Sequence, residues 1–165
     1  MYFPLKGGFF IITYEVSVLE REEIKLVGFS IKESLNKVIE SKIGGTLREE
    51  LDKRKFEIEN RISSGMYLIQ IYPHDGHWTP DVPYQHVIAY EVTTFDVIPN
   101  DMITYTLPAG RFIKIIHQGK ESQIGTTYDF INKTYGSRPI DIEYWNDIHT
   151  LENKDSQIDI YIPSK

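Results

Sequence analysis

The sequence contains no cysteine. That absence excludes disulfides, thiolate nucleophiles and Cys-based zinc or iron–sulfur sites. Basic charge is also scarce: 18 Lys and Arg stand against 24 Asp and Glu, a formal net charge of −6. No stretch supplies the basic face of a free-standing nucleic-acid binder, so no direct nucleic-acid contact is expected. Long apolar runs are missing too. Phe9-Phe10-Ile11-Ile12 is too short to span a bilayer, and Thr13 and Glu15 follow it where a signal peptide would carry a small-residue cleavage site. A strand there, no membrane contact and a cytoplasmic location are the simpler expectations. No Gly-rich phosphate loop and no Gly-x-Ser-x-Gly elbow is present, and no cofactor is expected. His74 and His77 flank Asp75, but the spacing is short and no third ligand is near, so no metal site is expected.

What the sequence has in plenty is rings. The 165 residues include 11 Tyr, 8 Phe and 2 Trp, which points to a tightly packed core or a ring-lined pocket. The length fits a single domain over residues 1–165. An acidic surface suits cationic or neutral ligands.

Residues 24–31 are apolar and β-branched enough for a strand. After Gly44-Gly45 the period changes. Thr46 and Glu49 have the spacing of a capping box. Leu47, Leu51, Ile58 and Ile62 recur at helical spacing, predicting an amphipathic helix ended by Ser63-Ser64-Gly65. Residues 66–72, 87–93, 102–107 and 112–117 read as strands, with a Pro- and Gly-rich loop over 73–83. Ser122 is the candidate N-cap of a second helix with the stripe Ile124, Tyr128, Ile131 and Tyr135, and Gly136 its C-cap. Strands over 140–145 and 157–162 close the chain. The order is strand, helix, strand, strand, twice over, the first repeat covering about residues 14–95 and the second about 102–163. This predicts an α+β fold of two pseudo-symmetric β-α-β-β repeats, an antiparallel-rich sheet with two helices on one face and the other face free.

Five segments in order carry a resemblance: Leu107-Pro108-Ala109-Gly110-Arg111-Phe112, His117-Gln118-Gly119, Thr127-Tyr128-Asp129-Phe130-Ile131, Ile142-Glu143-Tyr144 and Ile158-Asp159-Ile160-Tyr161-Ile162-Pro163. Lys25-Leu26-Val27-Gly28 and Tyr90-Glu91-Val92 fit upstream. The chain resembles the GyrI-like effector-binding family, also met as the ligand domain of AraC- and MerR-type regulators. It departs where Thr134-Tyr135-Gly136-Ser137 replaces a Trp-Leu-Pro segment and where Ala89-Tyr90 replaces a Gly. The resemblance implies a ligand cleft between the two halves that takes up small, often cationic and aromatic, molecules. Its acidic anchor maps onto Glu143 and its closing-strand tyrosine onto Tyr161.

Alternation along the strands sorts the candidate site residues. Ile140, Ile142 and Tyr144 share one face, and Asp141, Glu143 and Trp145 the other. Ile158, Ile160 and Ile162 share a face opposite Asp159 and Tyr161. Both isoleucine faces are expected to meet the helices, which gathers Glu143, Trp145 and Tyr161 on the helix-free surface. A carboxylate flanked by rings suits a cation, each ring face contributing ~0.5–2 kcal/mol, and burial would raise the Glu143 pKa in an empty site. Glu91 is a second acidic candidate, and Tyr67 and Tyr105 are candidate wall residues. Trp78 either caps its own loop or closes over the cleft as a lid. His117 reads as structural.

The expectation is a small-molecule effector-binding protein, a stand-alone ligand domain of transcription-regulator type, rather than an enzyme. The alternatives are a hydrolase of strained-ring electrophiles, with Glu143 or Glu91 positioning or deprotonating a water, and a gyrase-inhibitor-like protein-interaction role. The expected partners are a small-molecule ligand and a protein, either a regulator or a topoisomerase.

Overall fold

The computed structural model describes residues 13–74 and 78–164. The strand expected over 9–12 and the pair Asp75 and His77 lie outside these residues. Eight strands and three helices follow in chain order: β1 (Glu15–Arg21), β2 (Ile24–Glu33), α1 (Leu35–Ser41), α2 (Ile43–Lys53), β3 (Met66–Ile71), β4 (Tyr84–Val92), β5 (Ile103–Leu107), β6 (Gly110–Gln118), α3 (Ile124–Tyr135), β7 (Ile140–Trp145) and β8 (Gln157–Pro163). No helix among the described residues is long and apolar enough to cross a membrane.

The strands form one sheet in the order β1-β6-β8-β7-β3-β4-β2-β5, antiparallel throughout. The order is symmetric about the β7–β3 pair, with β2-helix-β3-β4 matched by β6-α3-β7-β8. The fold is thus α+β with two β-α-β-β units. Each unit lends its leading strand to the other: β1 pairs with β6, and β5 with β2.

Local chemistry sets the helix bounds. Ser34 caps α1, its hydroxyl accepting from the Lys37 N–H at 3.3 Å. Lys42, in the left-handed conformation at φ 57°, turns the chain into α2. Thr46 therefore lies inside α2, its N–H donating to the Lys42 carbonyl at 3.2 Å, and the expected capping box does not start the helix. The helix expected to run to Ile62 stops at Lys53 and passes through a 3-10 turn over Lys55–Glu57. Ile58 and Ile62 keep the helical spacing only by coincidence. Ile58 enters the core from an extended backbone, Asn60 takes φ 63°, and Arg61 bridges to Val92 of β4. Ser122 sits in a 3-10 turn ahead of α3, which Gly136 closes at φ 72°, its N–H donating to the Asn132 carbonyl at 3.1 Å.

Two apolar clusters lie on opposite faces of the sheet. The helix-side cluster joins Leu51, Ile131, Ile115, Ile158, Ile160 and Trp145. The other includes Leu26, Tyr67, Ile69, Val87, Ile142 and Tyr161 and contains no residue of α1, α2 or α3. With Leu19, Tyr105 and Phe112, this second cluster draws on all eight strands. A flat eight-stranded sheet would spread them over ~34 Å at about 4.8 Å per strand. On this face the Arg21 side chain of β1 nonetheless donates to the Tyr67 hydroxyl of β3, four strands away, at 2.9 Å, so the sheet is curved and its concave side is the face without helices.

Close approach at the β2–β4 crossing depends on Gly28, which pairs with Ala89. A Cβ there would lie 2.0 Å from the Ile88 carbonyl oxygen and 2.6 Å from the Ala89 Cα, both backbone atoms that cannot swing aside. Gly28→Ala is expected to cost about 2–3 kcal/mol in urea denaturation. Gly125→Ala, where an added Cβ meets nothing within 4 Å, is expected to stabilise by about 0.5 kcal/mol.

Candidate ligand-binding site

The sheet carries an acidic centre on each face. On the helix side, Glu143 pairs across the strands with Leu68 and Ile160, and so lies beneath α3. Its Oε2 accepts from the Tyr128 hydroxyl at 2.6 Å and the Gln70 amide at 3.5 Å, and its Oε1 from the Trp145 indole at 3.0 Å. Glu143 is 5% exposed. Asp141, one turn of the pleat away, accepts from the Tyr72 hydroxyl at 2.6 Å and is gripped by Arg138. Burial raises the Glu143 pKa to about 7, against the opposing pull of the Tyr128 and Trp145 hydrogen bonds.

This corrects the expected facial grouping. Ile142, not Glu143, is the residue registered with Tyr161. The isoleucines of β7 and those of β8 therefore point to opposite faces, and Glu143 and Trp145 lie on the side opposite Tyr161. Alternation tells which residues share a face. It does not tell which face the helices take, and here a buried hydrogen-bonded carboxylate occupies the position where an apolar residue was expected.

The concave face holds Tyr67, Tyr105, Tyr161 and Glu91. Tyr67 is registered with Tyr144, and their ring centroids lie 4.9 Å apart. Glu91 and Tyr105 flank Leu26 in one cross-strand row. Tyr161 lies on the same face as Ile142. Into this ring cluster reaches Arg21, the last residue of β1. Its guanidinium carbon stands 4.4 Å from the Tyr161 ring centroid and 5.7 Å from that of Tyr67, and its Nη2 donates to the Tyr67 hydroxyl at 2.9 Å. Burial raises the Glu91 pKa, and the Arg21 charge partly offsets it. Burial also raises the Tyr67 and Tyr161 pKa values, so both phenols keep their protons. An open cleft of about 340 Å³ adjoins the rings, lined by Tyr144, Asp147, Asp155, Gln157 and Asp159.

Trp78 belongs to neither centre. It stands edge-on to Tyr72 and Tyr84, with centroids at 5.3 and 5.7 Å, where the two tyrosines line a second cleft of about 630 Å³. His117 is buried, bonded to the Thr127 hydroxyl and the Lys120 carbonyl, both at 2.7 Å. Among the described residues no cluster of His, Asp and Glu is placed to hold a metal. Sequence reasoning missed Arg21 as a site residue and placed Tyr144 against the helices, because both assignments depend on strand order and register.

The raised Glu143 pKa has a signed consequence for stability. Between about pH 4.5 and 7 the folded protein holds a proton that the unfolded chain has released, so stability falls as pH rises through that window. The loss is roughly 3 kcal/mol if the whole shift is expressed. Glu143→Gln is expected to flatten this dependence and to raise stability at pH 8, as read by chemical denaturation at pH 5 and pH 8. An unchanged pH profile in the variant would remove Glu143 as its source.

Comparison with known proteins gives the same architecture. The family model described as integron-associated effector binding protein matches residues 17–163. The crystal structure of the EcmrR C-terminal domain superposes with a TM-score of 0.69 at 12% identity, over 93% of this chain and 99% of that one. SAV2435 bound to tetraphenylphosphonium gives 0.67 at 14% identity, covering 93% and 94%. The Vibrio cholerae integron cassette protein VCH_CASS2 gives 0.66 at 10% identity, covering 92% and 97%. Against the EcmrR chain of a cryo-EM EcmrR–DNA complex, this protein spans 58% of that chain's length. No curated protein matches the sequence. At identities this low the TM-scores show a shared fold and nothing more, but the family match extends over nearly the whole chain, so this protein belongs to the integron-associated effector binding protein family.

Proposed function

We propose that the protein binds a compact organic cation with aromatic or aliphatic bulk on the concave face of its sheet. Tyr161, Tyr67, Tyr144 and Tyr105 would serve as walls and Glu91 as the charge partner. The observation that carries this reading is the guanidinium already seated over the Tyr161 ring at 4.4 Å. The ring faces of this side of the sheet are arranged so that a cation can lie on them. Each such face contributes ~0.5–2 kcal/mol, and more when water is excluded. Asp147 and Asp155 at the adjoining cleft give its mouth a negative potential that draws cations in. The tetraphenylphosphonium bound by SAV2435, a protein of this fold, is a ligand of the same chemistry.

The Glu143 centre is outside the proposed site. Its oxygens are already hydrogen-bonded, and the Tyr128 and Trp145 side chains fill the space around them. Its work is to tie α3 to the middle of the sheet.

Calorimetric titration with tetraphenylphosphonium tests the assignment. Binding is expected in the wild type, with Glu91→Gln weakening it about tenfold, ~1.4 kcal/mol. Tyr161→Ala should weaken it as well. Glu143→Gln should leave it within about twofold. Affinity should fall on acidification, and at a higher pH than an exposed glutamate would impose, because burial raises the Glu91 pKa and the proton competes with the cation. Loss of binding in Glu143→Gln with none in Glu91→Gln would put the ligand under α3 and defeat the assignment.

A further inference from the structure

We propose that Arg21 is a tethered competitor for the cation site and thereby sets its specificity; the inference rests on the concave-face reading above. Tyr161 is 8% exposed and Tyr67 is 5% exposed. The guanidinium covers the first ring and hydrogen-bonds the hydroxyl of the second. A ligand cation cannot reach those faces while Arg21 stays. Binding is therefore an exchange, in which Arg21 leaves and the ligand takes its place beside Glu91.

Three observations make the exchange feasible. Arg21 ends β1, an edge strand paired on one side only, with β6, through Arg21 and Gly110. Its side chain can swing past the sheet edge without breaking a second strand pairing. Its Nη1 is buried and has no hydrogen-bond partner among the described residues. A donor left in that state weakens the resident contact relative to solvated arginine. Finally, Lys114, the other cation near Tyr161 among the described residues, stands farther off at 5.8 Å and pairs with Asp159 at 3.6 Å. Arg21 is thus the cation that blocks the ring.

A resident guanidinium is a demanding competitor. It is itself delocalised, weakly hydrated and held at high effective concentration by its tether. Small ammonium ions such as tetramethylammonium cover no more ring surface than the guanidinium does and lack its tether, so they cannot displace it. Cations with delocalised or shielded charge and several apolar faces can, because they cover more ring surface than one guanidinium does. The site therefore selects bulky lipophilic cations, and a protein lacking Arg21 would also accept small ones.

Titration of wild type and Arg21→Gln with tetraphenylphosphonium and with tetramethylammonium tests this. The variant should bind the phosphonium about tenfold more tightly, and tetramethylammonium binding should appear only in the variant. Millimolar methylguanidinium should compete with the phosphonium in the variant and have no effect on the wild type. Equal or weaker phosphonium affinity in Arg21→Gln, with Glu91→Gln still impairing binding, overturns the competitor role and leaves the concave site standing. No phosphonium binding in either protein overturns both. A measurement on the unmodified protein guards against a variant that folds poorly. The Arg21 guanidinium N–H signal should be protected from solvent exchange in the free protein and lose protection when phosphonium is added. Retained protection at saturation contradicts the exchange.

Discussion

The arrangement depends on one contact that a flat sheet could not make. Arg21 stands on β1 and Tyr67 on β3, four strands apart in the sheet order, a separation of ~19 Å at ordinary strand spacing. Yet the guanidinium donates to the tyrosine hydroxyl at 2.9 Å. Curvature brings the edge strand over the middle of the sheet and joins side chains of strands that never pair. The leading strand of each unit pairs with the opposite unit, so this cluster belongs to both halves of the fold together.

The same sheet separates two kinds of acid chemistry. On the helix side, Glu143 is enclosed by Tyr128 and Trp145 and held at a pKa near 7, a buried polar centre that orders α3 against the sheet. On the concave side, Glu91 is half-buried, and the Arg21 charge partly offsets the effect of that burial on its pKa. The first group is saturated with hydrogen bonds. The second is offset only in part, by the charge of Arg21, the group that the proposed cation would replace.

Much of the fold was legible because apolar alternation and helical stripes survive in the sequence. Ile124, Tyr128, Ile131 and Tyr135 mark α3 and Gly136 ends it. The α1 helix was invisible because none of its residues is buried, which leaves no apolar stripe to read. The α2 helix looked longer than it is because Ile58 is buried, as a helical residue there would have been, but from extended backbone. The site was half legible. Tyr161 and Glu91 could be nominated from strand alternation and Tyr67 and Tyr105 as strand tyrosines, and the four share the concave face. Glu143 and Trp145 were put on the wrong side because β7 buries carboxylates toward the helices, Asp141 at 1% and Glu143 at 5% exposure, which reverses the usual polarity of a strand. Arg21 carries no local signal at all, since its partners are set by curvature across four strands.

The central claim is that the concave face is the binding face and that its occupant replaces Arg21. A crystal structure of the protein with tetraphenylphosphonium tests it directly. The account predicts the phosphonium against the rings of Tyr161 and Tyr67, with the Arg21 side chain turned out past the edge of β1. Phosphonium density beneath α3 beside Glu143, or on the concave face with Arg21 still over Tyr161, would contradict it.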